Sequence, residues 1–254
     1  MKFYMIQVMK IKDSFEEVFK EINKVLIVLA HPDDMEITCG GLIARLVDNK
    51  KLVRLVVTTN GGKGMKDKEG LTESEFAKSR VAEQVSAGKI LGIKESENYN
   101  LGIPDGEIEP SVENIGEIAF HIRQFKPDLV ISHNPDPGIV RFFENSAWVN
   151  HRDHRNTALI TIDAVYPYSR DRGFFTEQFE KDKLEPHVVK QLLLTDSYTS
   201  NSIKYFQIDE YLSKKKLALQ QHLTAFDPAD ADDYLEENKF GDNYFEPLGY
   251  YKVY

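Results

Sequence analysis

His31, Asp33, Asp34 and Glu36 fall within six consecutive positions, directly after the apolar run KVLIVLA (24–30). One imidazole and three carboxylates at the end of a buried strand repel one another and lose hydration unless something holds them. A divalent metal ion is such a partner. A catalytic zinc takes three protein ligands from His, Asp, Glu or Cys and leaves a fourth position for water. His31 and Asp34, three positions apart on a turn stiffened by Pro32, can point at one ion. The third ligand must come from elsewhere. His151-Arg-Asp-His154 offers two imidazoles at i,i+3 spacing on one face of a helix start.

The surplus groups then acquire roles. Asp33, beside a ligand but pointing elsewhere, is placed to act as general base on bound water, whose pKa zinc brings to about 7. Whichever histidine of the second pair does not bind metal can steady the oxyanion or protonate the leaving group, with Asp153 fixing its tautomer. Together these supply what hydrolysis of an amide or similar acyl bond requires. Glu36 has no part in the scheme and reads as support for a ligand or as a helix-start acid. Plainer roles compete: strand ends are naturally polar, and Asp33 or Asp34 can cap the next helix. Cys39 reads as a small core residue, and His121, His187 and His222 as structural or surface residues.

The elements that must position these groups follow from hydrophobic patterning. Runs 24–30, 51–59 and 128–133 read as strands buried on both faces, with a short strand within 97–110. Helices are expected at 14–23, 38–49, 74–91, at 111–125 with Ser111 as N-cap, and from His151 onward. Residues 134–150 read as a long polar and aromatic loop, in which Arg141, Phe142, Phe143 and Trp148 can cap a ligand. Strand character returns at 188–195 and 203–208, a helix is expected over 209–226, and the remainder reads as an acidic, Tyr-rich tail. This pattern predicts an α/β, Rossmann-like domain, a mostly parallel sheet with helices on both faces and C-terminal strand and helix elaborations. One domain spans 1–254, with its core at about 24–226 and a tail at 227–254. Ligands of such sheets bind beyond the carboxyl ends of the strands. HPDDME, TTNGGKG and the pair SHNPDP and NHRDHR all fall at such ends.

The 254 residues carry a net charge of −9, which offers no basic excess for nucleic acid. No apolar stretch approaches the roughly 20 residues of a membrane span. The single cysteine excludes an internal disulfide, and a cytoplasmic location is expected. A G-x-G-x-x-G signature is absent after the first strand, against a dinucleotide site.

AHPDDMEITCGG, RVAEQVSAGKILGI, NLGIPDGEI, FKPDLVISHNP, HRDHRNTALITIDAV and KKKLALQQHLTAF stand in an order that resembles the LmbE-like, or PIG-L, N-acetylglucosamine deacetylases. The resemblance covers about 24–166 well and 188–226 more loosely. It implies a metal, zinc or ferrous iron, on His31, Asp34 and His154, with Asp33 as base and His151 at the oxyanion or leaving group beside Asp153. It also implies that Arg80 grips substrate, that Asp105 touches sugar hydroxyls, and that the protein is a homo-oligomer. The implied reaction is removal of the N-acetyl group from a GlcNAc moiety of a small glycoconjugate or short saccharide. An amidase for a larger acyl group and a non-catalytic sugar- or nucleotide-binding module are the rival readings. The chain departs from some members in having Trp148 and Val149, not tyrosine, just before HRDH.

Overall fold

The structure, a computed structural model, describes residues 11–64, 70–136, 138–143, 146–197 and 202–253. The strands are β1 (Lys24–Leu29), β2 (Leu52–Thr59), β3 (Asn98–Ile103), β4 (Leu129–Ser132), β5 (Ile139–Phe143), β6 (Ser146–Val149), β7 (Gln191–Leu194), β8 (Ile203–Gln207), β9 (Lys239–Phe240) and β10 (Asn243–Lys252). The helices are α1 (Phe15–Phe19), α2 (Asp34–Asp48), α3 (Glu73–Leu91), α4 (Val112–Phe125), α5 (Arg152–Asp163), α6 (Thr176–Glu180), α7 (Leu212–Leu219) and α8 (Ala231–Glu236).

The main sheet runs β3-β2-β1-β4-β7-β10-β8, with β9 on β10. The first five strands are mutually parallel, and β10 is antiparallel to both β7 and β8. Because side chains alternate across a strand, β1 divides its apolar residues between two cores. Val25, Ile27 and Leu29 pack with residues of α1, α2 and α3, while Leu26 and Val28 pack with Ile115, Ile118 and Ile122 of α4 and Ile160 of α5. Helices therefore cover both faces, as expected. Each aliphatic side chain so buried contributes about 1.5–3 kcal/mol.

Helix boundaries follow local chemistry. Thr72 and Glu75 close a capping box at the start of α3, and Ser111 accepts from the Asn114 N–H at the start of α4. Helix α2 begins at Asp34, earlier than the expected position 38, and breaks at Cys39 (φ −147°). The backbone groups freed there find partners in later elements. Lys215 Nζ donates to the Ile37 carbonyl at 2.9 Å, and the Gly41 and Leu42 N–H groups donate to Glu246 at 2.9 and 2.7 Å. Lys215 and Glu246 are themselves paired at 2.7 Å and fully buried. At Gly41 a Cβ would sit 2.8 Å from the Ile208 side chain, so only glycine allows this approach.

Three expectations are corrected. Residues 139–143 and 146–149, expected within an irregular loop, pair as the antiparallel strands β5 and β6. The helix expected over 209–226 is a short 3₁₀ turn followed by α7, which ends at Leu219. The acidic tail supplies β10, inserted between β7 and β8.

Candidate active site

Strand order reverses between β1 and β4, so a crevice opens beyond their carboxyl ends. His31 leaves the end of β1, and the Pro32–Asp33 turn carries Asp33 at φ 116°, an uncommon backbone for a residue with a Cβ. Asp34 opens α2, and its Oδ2 accepts the His31 backbone N–H at 2.7 Å. That bond folds the short segment so that both side chains face the crevice.

Asp34 is the hub. Its Oδ2 lies 3.4 Å from His31 Nδ1 and 3.2 Å from His133 Nε2, and its Oδ1 lies 3.2 Å from His154 Nε2. Burial opposes ionisation of Asp34, but His154 and His133 outweigh it and hold the carboxyl well below the usual carboxylate range. His31 Nε2 faces Asp105 Oδ1 at 3.4 Å and Asp153 Oδ2 at 3.3 Å. Burial disfavours the His31 cation, yet Asp105, Asp153 and Asp34 together raise its pKa well above the ordinary value. Protons held between imidazoles and carboxylates in this way are those a metal ion displaces. Among the described residues, three overlapping sets of donor atoms lie mutually within 4.8 Å: His31, His151 and His154; Asp34, His133 and His154; and His31, Asp105 and Asp153. Between them they contain all three expected ligands. Two imidazoles and a carboxylate that converge from separate segments are the donor set of a divalent ion such as zinc.

Asp33, half-buried, is held on two sides. Its N–H donates to Gln84 Oε1 at 3.0 Å, and Arg80 Nη2 lies 3.1 Å from its Oδ2. The same guanidinium nitrogen donates to the Pro32 carbonyl at 2.5 Å. Gly61 makes this possible, because a Cβ there would meet Arg80 Nε at 2.5 Å. Arg80, expected to grip substrate, is only 6% exposed, and its guanidinium contacts the Asp33 turn.

His151 caps α5: its Nδ1 accepts the Asp153 N–H at 3.2 Å. That bond leaves the proton on Nε2, the tautomer a donor to an oxyanion or leaving group needs. Burial, then its neighbours His31 and His154, lowers its pKa. The tautomer is thus fixed by the Asp153 backbone and not, as expected, by the Asp153 carboxylate, which faces His31 and accepts the Gly106 N–H at 2.6 Å. Asp105 also joins the crevice, accepting the Lys63 N–H at 3.1 Å. Arg152 pins this loop to α5 through the Gly106 and Ile108 carbonyls, at 3.1 and 2.7 Å.

His133 and Asp196 were not among the expected site residues. They sit just beyond β4 and β7 and pair at 3.0 Å through His133 Nδ1. The His133 ring stacks on His154, with centroids 3.9 Å apart. The signal was their place at strand ends, in SHNP and in LTDS. Of the residues expected to cap the crevice, Trp148 approaches His154 with ring centroids 6.4 Å apart. The Arg141, Phe142 and Phe143 side chains lie outside the described residues.

The family PIG-L, described as GlcNAc-PI de-N-acetylase, matches residues 26–165. The chain belongs to the PIG-L family. It is 28% identical over 218 residues to a diacetylchitobiose deacetylase of Thermococcus kodakarensis, across 85% of this chain and 75% of that protein. A solved N,N'-diacetylchitobiose deacetylase from Pyrococcus horikoshii, complexed with an inhibitor, superposes with a TM-score of 0.78 at 26% identity, covering 94% of this chain and 86% of that one. A 1D-myo-inositol 2-acetamido-2-deoxy-alpha-D-glucopyranoside deacetylase of Mycolicibacterium smegmatis is 25% identical over 183 residues, 63% of this chain and 59% of that protein. No helix among the described residues is long and apolar enough to cross a membrane.

Proposed function

We propose that this PIG-L protein is a metal-dependent hydrolase that removes the N-acetyl group from a GlcNAc moiety of a short saccharide or small glycoconjugate. The observation that carries the reading is one carboxylate, Asp34, facing His31 and His154 with its two oxygens, while the adjacent Asp33 is held apart by Arg80. The Thermococcus and Pyrococcus relatives, named for diacetylchitobiose, support a short N-acetylated saccharide as substrate.

His31, Asp34 and His154 hold the ion, zinc or ferrous iron. When bound, it supplies a Lewis acid that polarises the acetamide carbonyl and acidifies water near neutral pH. Asp33 takes the proton from the attacking water. His151, with its proton on Nε2, donates a hydrogen bond to the developing oxyanion, and the proton that Asp33 took from water passes to the leaving nitrogen as the C–N bond breaks, so acetate and a free amine result. Asp153 and Asp105 hold the far nitrogen of the His31 ring, which orients a ligand imidazole. Arg80, 3.1 Å from Asp33 Oδ2, keeps the Asp33 carboxylate aimed.

Acetate release from N,N'-diacetylchitobiose by zinc- or iron-loaded protein, beside chelator-stripped protein, tests the reading. Loaded protein is expected to turn over and stripped protein to be inactive. Metal-loaded protein that releases no acetate from diacetylchitobiose or from a panel of GlcNAc conjugates overturns it.

A further inference from the structure

Glu36, Gln84 and His222 form a buried row behind the Asp33 turn, and the chemistry above uses none of them. Their exposures are 0%, 2% and 1%. Gln84, on α3, accepts the Asp33 N–H on Oε1 at 3.0 Å and donates from Nε2 to Glu36 Oε1 at 3.1 Å. The other Glu36 oxygen lies 3.2 Å from His222 Nε2. Three segments far apart in sequence thus converge on the backbone of one residue.

An amide side chain has one accepting end and one donating end, so its neighbours decide which way it points. Here a carboxylate, which can only accept, takes the donating end, and the accepting end is left for the Asp33 N–H. With the amide reversed, two donors would meet at Asp33 and two acceptors at Glu36. A buried unmet donor costs about 1–3 kcal/mol, so the observed orientation is strongly favoured. What it secures is a residue at φ 116° whose side chain makes no cap to its own helix. Backbone in such a region persists only where the surroundings over-determine it.

We propose that Gln84, oriented by Glu36 with His222 behind it, is a positioning residue for Asp33: it fixes the turn so that the Asp33 carboxylate meets the attacking water. The proposal rests on the reading of Asp33 as the base. It also gives Glu36 a role that neither metal binding nor helix capping requires. No proton passes along the row, because Gln84 joins Glu36 to a backbone N–H, not to the Asp33 carboxylate.

Metal-loaded Q84M, near in size but unable to make either bond, is the first test, with diacetylchitobiose as substrate. Metal content and KM are expected to stay within about twofold of wild type while kcat falls about tenfold or more, since small misplacements of a reacting group cost this much. The second test swaps the polarity of the row. Q84E sets two buried carboxylates face to face; adding E36Q restores a donor opposite an acceptor while the Asp33 N–H keeps its acceptor. E36Q/Q84E is expected to recover most of the kcat that Q84E loses. The proposal is overturned if Q84M keeps wild-type kcat, if its metal content falls or its KM rises in step with the loss of kcat, or if the double variant is no better than Q84E. Should Q84M not fold, the comparison of Q84E with the double variant decides. Failure of the proposed function reads differently: wild-type protein itself would release no acetate. Failure of the base assignment would show as an active Asp33→Asn variant.

Discussion

Arg80 Nη2 bridges Asp33 Oδ2, at 3.1 Å, and the Pro32 carbonyl, at 2.5 Å, so one buried guanidinium clamps the turn that carries the proposed base. A residue that gripped substrate directly would raise KM when removed. One that holds the base lowers kcat. Arg80→Met is therefore expected to lower kcat by about 10- to 100-fold with little change in KM, in keeping with about 1.5–3 kcal/mol for a charged hydrogen bond. Steady-state kinetics on diacetylchitobiose separate the two; a pure KM effect restores the substrate-gripping role.

Metal binding and base chemistry are expected to come apart by mutation. Asp34→Asn and His154→Ala remove donors from the crevice and should abolish retention of zinc after dialysis. Asp33→Asn leaves those donors in place. It should keep a full equivalent of metal by elemental analysis while losing about 10²–10⁴-fold in kcat, the usual contribution of a general base. Loss of metal in Asp33→Asn would mean that Asp33 is a ligand.

Much of this site could be read in the sequence because its parts are local. His31 to Asp34 and His151 to His154 each occupy one turn, where spacing translates directly into a shared direction. His133 and Asp196 could not be placed that way. Their partnership depends on β4 and β7 being neighbours, and no spacing in the chain encodes that pairing. The same holds for β10. NYFEPLGYYK contains Pro247, Gly249 and a glutamate, and reads as a loop until Lys215 and the α2 amides are seen to meet Glu246. Likewise Glu36 was visible as a surplus acid, but its partners Gln84 and His222 lie 48 and 186 positions away (84 − 36 and 222 − 36).

The Lys215–Glu246 pair should matter for folding more than for turnover. Lys215→Met removes the ammonium from a fully buried site and leaves Glu246 facing two backbone N–H groups without its cation. Breaking such a pair costs about 3–5 kcal/mol. Urea denaturation should show that loss, and K215M/E246Q should recover part of it, because the buried charge goes while the amide oxygen still accepts one of the two α2 N–H groups. Equal stability of K215M and wild type would mean that the pair does not hold the break in α2.

His121 should give the protein a pH-dependent stability unconnected with the crevice. The ring lies against Tyr99 and Phe120, with centroids 4.7 and 5.8 Å away, and its Nδ1 has no hydrogen-bond partner. Burial, helped by the positive charge of Arg54, pushes its pKa down from 6.5 to about 4. The unfolded chain takes up a proton near pH 6.5 that the folded one refuses until about pH 4. The neutral ring's contribution is therefore complete above about pH 6.5 and is lost progressively as the pH falls toward 4. By pH 5 the loss relative to pH 7 amounts to about 2 kcal/mol. His121→Phe removes the titrating group from the same aromatic surroundings. Urea denaturation at pH 7 and pH 5 should therefore show the wild type losing about 2 kcal/mol more than the variant, whatever the crevice histidines contribute to both. If the two proteins lose stability in parallel, His121 accepts its proton in the folded state as readily as in the unfolded chain.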